Sequence, residues 1–505
     1  MYYPFWDTSL SYGMLMAVIS ILHVFISHFA IGGGLYLVIT ETFARKRNDQ
    51  AMLDYLQRLS KFFLLVTLVL GALSGVAIWF IIGLLNPSAT EVLIHHFVWA
   101  WAIEWTFFVI EIAAAIVYYY GWQRMSARDH LAIGWVYFGA AWLSLFVING
   151  IITFMLTPGA WTATGNIWDG FFNPTFWPSL FYRTGICVLL AGLYAMVVAA
   201  RSKDVSLKAR TARRNAAFGL IGLAIVVPTF FWYWQAIPGD LIANAQETMP
   251  ATMRTIWESY LYIVLLVLVL ILYGLVMPKR LNMVVAVVLM AAGLGYFGSF
   301  EFFRESVRKP YVITDYMYGN TLEVAKTAEY REGGYLAGIE FRTGDDGADL
   351  FRHVCRHCHT LDGYKPLLPA FEGVDREFIA SMVRGSEAMK GNMPPFMGSS
   401  GEALMIGEYL HGRTDNRHLS EIYDVEGVQL GQKVYEVRCG RCHEIGGYND
   451  KSESLIGLDD EDYLDLLDMA GEFADEMPDF TGDDEERAAL IEFLKTIGKE
   501  QGGAL

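Results

Sequence analysis

Four of the five cysteines stand in two pairs with the same spacing and the same neighbour: Cys355-Arg356-His357-Cys358-His359 and Cys439-Gly440-Arg441-Cys442-His443. Two thiols one helical turn apart can both add to the vinyl groups on one haem edge, and the adjoining imidazole then reaches the iron. The pattern C-x-x-C-H is therefore read as covalent attachment of haem c. Cys355, Cys358, Cys439 and Cys442 would form the thioethers, and His359 and His443 would ligate the two irons. Each motif is followed 34 residues beyond its histidine by Met-Pro, at Met393-Pro394 and Met477-Pro478. Those methionines are the expected sixth ligands, and a thioether raises the reduction potential relative to a second histidine. A structural zinc site needs further thiols or histidines at regular spacing, and a dithiol redox pair does not require the histidine. Neither accounts for two copies with matched methionines. His353, His357, His411 and His418 are read as surface residues, and Cys187, alone in an apolar helix, as packing.

A shift of 84 residues superposes the two motifs without a gap. It also places Gly363-Tyr364 on Gly447-Tyr448, and Glu408-Tyr409-Leu410 on Glu492-Phe493-Leu494. Such self-similarity predicts two copies of one small helical unit, over 345–420 and 421–505, led in by a linker over 309–344.

The elements ahead of the repeat are of another kind. Hydrophobic residues make up 54% of the 505 residues and the mean hydropathy is +0.32, which is membrane-protein composition. Eight segments are long and apolar enough to span a bilayer: 11–42, 62–86, 92–120, 131–157, 177–200, 216–235, 256–277 and 281–304. Fifteen basic residues fall in the loops after the first, third, fifth and seventh spans, against one, Arg254, in the alternate loops. By the positive-inside rule the basic loops are cytoplasmic, so the N-terminus and everything after the eighth span are expected outside. The Met1–Trp6 stretch has no basic region and no small-residue cleavage site, so no cleaved signal peptide is expected. The net charge of −16 divides into about +4 over residues 1–308 and about −20 over 309–505. An acidic outer part disfavours nucleic acid and suits a basic partner protein, or serves only to keep it soluble. No glycine loop has phosphate-binding spacing, and Gly32-Gly33-Gly34 is read as permitting close helix or haem approach.

Ionisable residues inside apolar spans are costly and point to function. The first span carries His23 and His28. The third carries His95, His96, Glu104 and Glu111, with the two glutamates seven apart on one helix face. The eighth ends in Glu301, Glu305 and Arg308. A set on three helices is read as a haem site with a proton path.

These stretches resemble subunit I of the cytochrome bd-type oxidases over roughly residues 10–310. His23, Gly32 and Glu41-Thr42 match that family's first helix. Ala102-Ile103-Glu104 through Glu111 to Gly121-Trp122 is similar to its third, with Glu104 one residue out of register. Glu305-Ser306-Val307-Arg308-Lys309-Pro310-Tyr311 resembles its Glu-x-x-Arg-x-Pro-aromatic stretch. The resemblance implies one or more b- or d-type haems in residues 1–308, with His23 and Glu305 as ligands at the high-spin pair and Arg308 beside them. It also implies Glu104 and Glu111 as catalytic proton carriers, and a second membrane subunit as partner. There are departures. Arg183 stands where the family has its low-spin haem b histidine, the external quinol loop shrinks to about 236–255, and eight spans replace nine. His28, His95 and His96 remain open as ligands of a different b haem.

The expected fold is thus all-α: a polytopic bundle of about eight transmembrane helices over 1–308, then two class I-like cytochrome c domains, in a bacterial inner membrane. The expected activity is that of a respiratory oxidoreductase, passing electrons from a periplasmic cytochrome c through the c haems to the membrane haem and on to oxygen. One alternative runs the other way, with quinol oxidised in the membrane and electrons leaving through the c haems. Another is a non-catalytic, membrane-anchored dihaem electron carrier.

Overall fold

The structure is a computed structural model that describes residues 8–85, 87–339, 342–474 and 477–502. The Met1–Trp6 stretch and Asn86, at the end of the second expected span, lie outside the described residues.

Among the described residues, eight helices are long and apolar enough to cross a membrane. They are α1 (Tyr12–Lys46), α2 (Gln50–Leu85), α4 (Val98–Gly121), α5 (Ala127–Leu156), α6 (Phe176–Ala200), α7 (Val205–Ala236), α8 (Pro250–Val276) and α9 (Met283–Val307). A short α3 (Pro87–His96) precedes α4. The helices run further into the basic segments than the apolar runs predict, because polar caps start them there. Asp49, Ser126, Asp204 and Asn282 each accept a first-turn backbone N–H, at the starts of α2, α5, α7 and α9. Each cap satisfies a donor that the helix end leaves orphaned.

The most enclosed span is α6, 72% of whose apolar window is buried against 39% or less for the others. It can sit centrally because its neighbours approach over glycine. A Cβ at Gly192 would lie 2.5 Å from the Asn215 carbonyl of α7, and one at Gly32 of α1 would overlap the Cys187 backbone. Cys187 is fully buried there, as packing. Close approach over small residues is how helices gain contact area where lipid is as apolar as leucine. Outward positions such as Val76, Trp99 and Val284 are exposed and suit hydrocarbon.

The chain divides into two compact units. One comprises Met16–Ala243 with Pro250–Arg308. The other holds Lys309–Leu505, Asn244–Met249 and the residues up to Leu15. The second unit contains α10 (Asp346–Val354), α11 (Arg376–Arg384), α12 (Ser400–His411), α13 (Gly427–Arg438), α14 (Asp460–Asp468) and α15 (Asp484–Gly502). Shifting α11 by 84 lands on α14 residue for residue, and α12 starts on α15. In each copy the first helix crosses the last through a glycine. A Cβ at Gly347 would stand 2.6 Å from Met405 O, and one at Gly431 would overlap Ala489 O, its counterpart 84 residues on. The ring pair beside the crossing repeats with its members exchanged, Phe351–Tyr409 at 5.7 Å and Tyr435–Phe493 at 5.6 Å.

The 309–344 stretch carries a small antiparallel hairpin, Tyr311–Ile313 with Met317–Tyr318, and a helix over Thr327–Gly333. Its Tyr335 is buried in the first repeat, where the Met397 N–H donates to Tyr335 Oη over 2.7 Å.

Candidate haem sites

Helices α10 and α13 end at Cys355 and Cys439, and the chain turns so that each motif closes on itself. The N–H of His359 donates to Cys355 O, and that of His443 to Cys439 O, both at 2.9 Å. The imidazoles are then clamped identically. Nδ1 of His359 lies 3.1 Å from Lys365 O, and Nδ1 of His443 lies 3.1 Å from Asn449 O. A carbonyl only accepts, so both Nδ1 atoms carry the hydrogen and both Nε2 atoms keep the lone pair that an iron takes. Burial pushes the Cys355 and Cys439 thiols up to about 12. Among the described residues there is no group of three or more His, Cys, Asp or Glu able to hold a metal ion. The donor set therefore fits haem c and does not fit a zinc site.

Met393 and Met477 lie half-buried in the irregular loops between α11 and α12 and between α14 and α15. Asn392, in a left-handed conformation, anchors the first loop by donating to Lys309 O at 2.7 Å. The same loop meets the second motif. The Lys390 N–H donates to Arg441 O at 3.2 Å, Lys390 pairs with Glu444 at 3.0 Å, and Tyr448 Oη donates to Ala388 O at 3.3 Å. The approach to Met393 and the second attachment loop thus share one seam.

His357 departs from its reading as a surface residue. It is 7% exposed and lies edge-on to Tyr12 at 5.5 Å. Residues 8–13 strap this first motif. Arg356 donates to Thr8 O and, at 3.1 Å, to Leu10 O, the Gly13 N–H donates to His357 O at 2.9 Å, and the Tyr364 N–H donates to Ser9 O at 2.9 Å. Single-motif inspection gives no signal for this, because the partners are some 350 positions apart.

In the membrane unit, Ser74 Oγ gives its hydrogen to Leu70 O at 2.7 Å, so at 3.0 Å it accepts from His23 Nδ1–H. That leaves the lone pair on His23 Nε2. Glu305 is held by Arg308 and lies 3.5 Å from Arg304. Arg304 Nη1 and Arg308 Nε and Nη1 are buried without a hydrogen-bond partner. Unpaired buried guanidinium N–H groups are costly and fit the carboxylates of a haem.

Arg183 is 1% exposed, lies 2.8 Å from Glu301 and places Nη1 3.4 Å from His28 Nε2. His28 Nδ1–H donates to Val24 O at 2.7 Å, so its remaining lone pair faces Arg183. The pair His95 and His96 sits on α3 and not on the third span, because Phe97 breaks the helix with φ −120°. His95 is exposed, and His96 lies edge-on to Trp161 at 4.8 Å. Glu104 accepts from Ser144 at 2.8 Å and Glu111 meets Tyr137 at 2.9 Å. Thr67, Phe108, Glu111, Ala115 and Tyr137 are among the residues lining a small cavity.

Residues 13–262 match the family model described as cytochrome bd terminal oxidase subunit I. Residues 342–410 and 426–494 match the model of the cbb3-type cytochrome c oxidase subunit III. A search of curated proteins gives no match. Among solved structures, a bd oxidase chain from Geobacillus thermodenitrificans superposes with a TM-score of 0.52 at 14% identity, covering 59% of this chain and 87% of that one. That likeness is one of fold. The c matches imply covalent haem c, and the bd match implies b- or d-type haem. The chain joins a multi-pass membrane domain like cytochrome bd subunit I to two cytochrome c domains, the make-up of a respiratory, haem-based electron-transfer oxidoreductase.

Proposed function

We propose that this chain takes electrons from an external reduced cytochrome c, passes them through its two c domains to a high-spin haem in the membrane domain, and reduces oxygen there. The observation that carries the reading is Arg183. Its buried guanidinium, paired with Glu301 and set against His28, stands where the resemblance puts the ligand of a low-spin haem that receives electrons from quinol. With that route closed, the c domains are the remaining input.

In this reading Cys355 with Cys358, and Cys439 with Cys442, carry the two c haems. His359 and Met393 ligate one iron, and His443 and Met477 the other. His23 Nε2 and Glu305 are the ligands in the membrane, and the unpaired N–H groups of Arg304 and Arg308 take the propionates. Bound haem supplies the one-electron chemistry and the oxygen-binding iron. The chain's own part is positioning and protons. The seam at Lys390, Arg441 and Glu444 holds the two c domains together, and Glu104 and Glu111 hold protons on their carboxyl oxygens, oriented by Ser144 and Tyr137. Two observations support the c domains lying outside: the fifteen-to-one bias of basic residues and the strap of residues 8–13 on the first motif. A second membrane subunit similar to bd subunit II is the expected partner.

Oxygen consumption by the purified complex, driven by reduced cytochrome c and compared with a quinol analogue, tests the reading. Turnover with cytochrome c and none with quinol is expected. Quinol-driven reduction of the c haems would reverse the proposed direction. A pyridine haemochrome spectrum with c haem alone would leave only an electron carrier.

A further inference from the structure

Three pairs cross the α4–α5 interface in one register. Glu104 meets Ser144, Glu111 meets Tyr137, and Tyr118 meets His130, whose ring lies 4.2 Å from the tyrosine ring and whose Nε2 is 2.8 Å from Tyr118 O. Each helix advances seven residues per rung, two turns or about 10 Å, so all three rungs share one seam. The third rung also holds Glu41 of α1, which is fully buried, as is His130. His130 Nδ1 lies 2.8 Å from Glu41 Oε1, and Tyr118 Oη donates to Glu41 Oε2 at 2.8 Å. Arg45 Nε donates to Glu41 Oε1 at 2.6 Å, with a quarter of its side chain exposed.

The hydrogen count at this rung decides what it can do. Nε2 faces a backbone carbonyl, so it carries a hydrogen. The bond between Nδ1 and Oε1 then needs one further proton, held by the imidazole or by the carboxyl. The pair is a proton-sharing site whichever atom holds it. The second rung is built alike. Tyr137 Oη lies 3.0 Å from Ala30 O and 2.9 Å from Glu111, and it has one hydrogen to give. When the carbonyl takes it, Glu111 must bring its own. The cavity beside Glu111 runs from Phe108 to Ala115, a turn toward each neighbouring rung, and offers Thr67, Glu111 and Tyr137 as polar partners. Such a site suits water.

We infer that Glu41, His130 and Tyr118 form the uptake end of a proton file that continues through Glu111 and Tyr137 to Glu104 and Ser144. The file opens beside Arg45, Lys46 and Arg47, at the basic end of α1. One proton passes from water beside Arg45 to the Glu41–His130 pair, then by water to Glu111. Each transfer moves a proton between oxygen or nitrogen atoms, with no change of oxidation state. This rests on the membrane-haem reading above.

The test is electrochemically triggered infrared difference spectroscopy on the whole complex. A potential step reduces the haems, and the carboxyl C=O band lost in Glu111→Gln is followed in time. In Glu41→Gln and His130→Gln the band is expected to rise at least tenfold more slowly than in the unmutated complex, while the optical rate of haem reduction is unchanged. A merely structural role would lower haem content and leave the rate per haem alone. Wild-type band kinetics in both variants would overturn the file while leaving the membrane-haem reading intact. Absence of any membrane-haem signal in the unmutated complex would sink both.

Discussion

Arg183 and Glu301 form an ion pair across 2.8 Å between α6 and α9, with side chains 1% and 7% exposed. Removing one partner of a buried pair costs on the order of 3–5 kcal/mol when it leaves a bare charge, but Glu301 keeps Arg304 at 3.0 Å, so losing Arg183 should cost less than that, and replacing both charges is often nearly neutral. Arg183→Met is therefore expected to lower the thermal midpoint in detergent, and Arg183→Met with Glu301→Gln to recover part of the loss. Equal midpoints for the single and double variants would show that the pair is not coupled.

The glycine crossings of the repeats make a second expectation. Gly431→Ala sets a methyl into the Ala489 carbonyl, and overpacking of this kind costs about 1–3 kcal/mol. The second c domain should lose its haem absorbance at lower denaturant than the first, and Gly347→Ala should reverse the order. Denaturant titration of the Soret band reads both.

Exchanging a methionine ligand for a nitrogen ligand lowers the reduction potential. Met393→His should therefore shift one c-haem wave downward by an amount on the order of 100 mV, within the ~0.8 V that axial ligation spans. Met477→His should shift the other. A redox titration with both waves unmoved would remove these residues from the ligand set.

Asp483 caps α15, accepting the Glu486 N–H at 2.9 Å, and that bond, with His418 nearby, holds its carboxyl below the usual value of 3.8. A depressed folded-state value means the cap stabilises above 3.8 and is lost as pH falls through the folded value. Asp483→Ala should cost roughly 1 kcal/mol at neutral pH, and the gap from the unmutated protein should close below pH 3.8. Stability curves that stay parallel down to acid would refute it.

The repeat was legible in the chain because its chemistry is local. A motif, a methionine and an 84-residue shift suffice, and the helices recur at that spacing. The glycines that set the crossing are not, since Gly347 and Gly431 take their meaning only from the facing carbonyls of Met405 and Ala489. His130 was missed for a related reason. It sits in the first turn of α5 beside Arg128 and Asp129, where the local pattern is that of a loop. Its partners, Glu41 and Tyr118, come from other helices, and interhelical register is absent from any single-helix pattern. His357 reads as a surface residue, while the group that covers it, Tyr12, lies some 345 positions away in the chain.

That strap bears on biogenesis. Thr8, Ser9 and Leu10 leave the ribosome early, yet the Arg356 guanidinium and the Tyr364 amide that receive them are made some 350 residues later. Residues 8–10 can therefore close these bonds only once the attachment loop has been translated and folded. Their docking marks a late checkpoint in maturation, closing a clasp over a loop already complete.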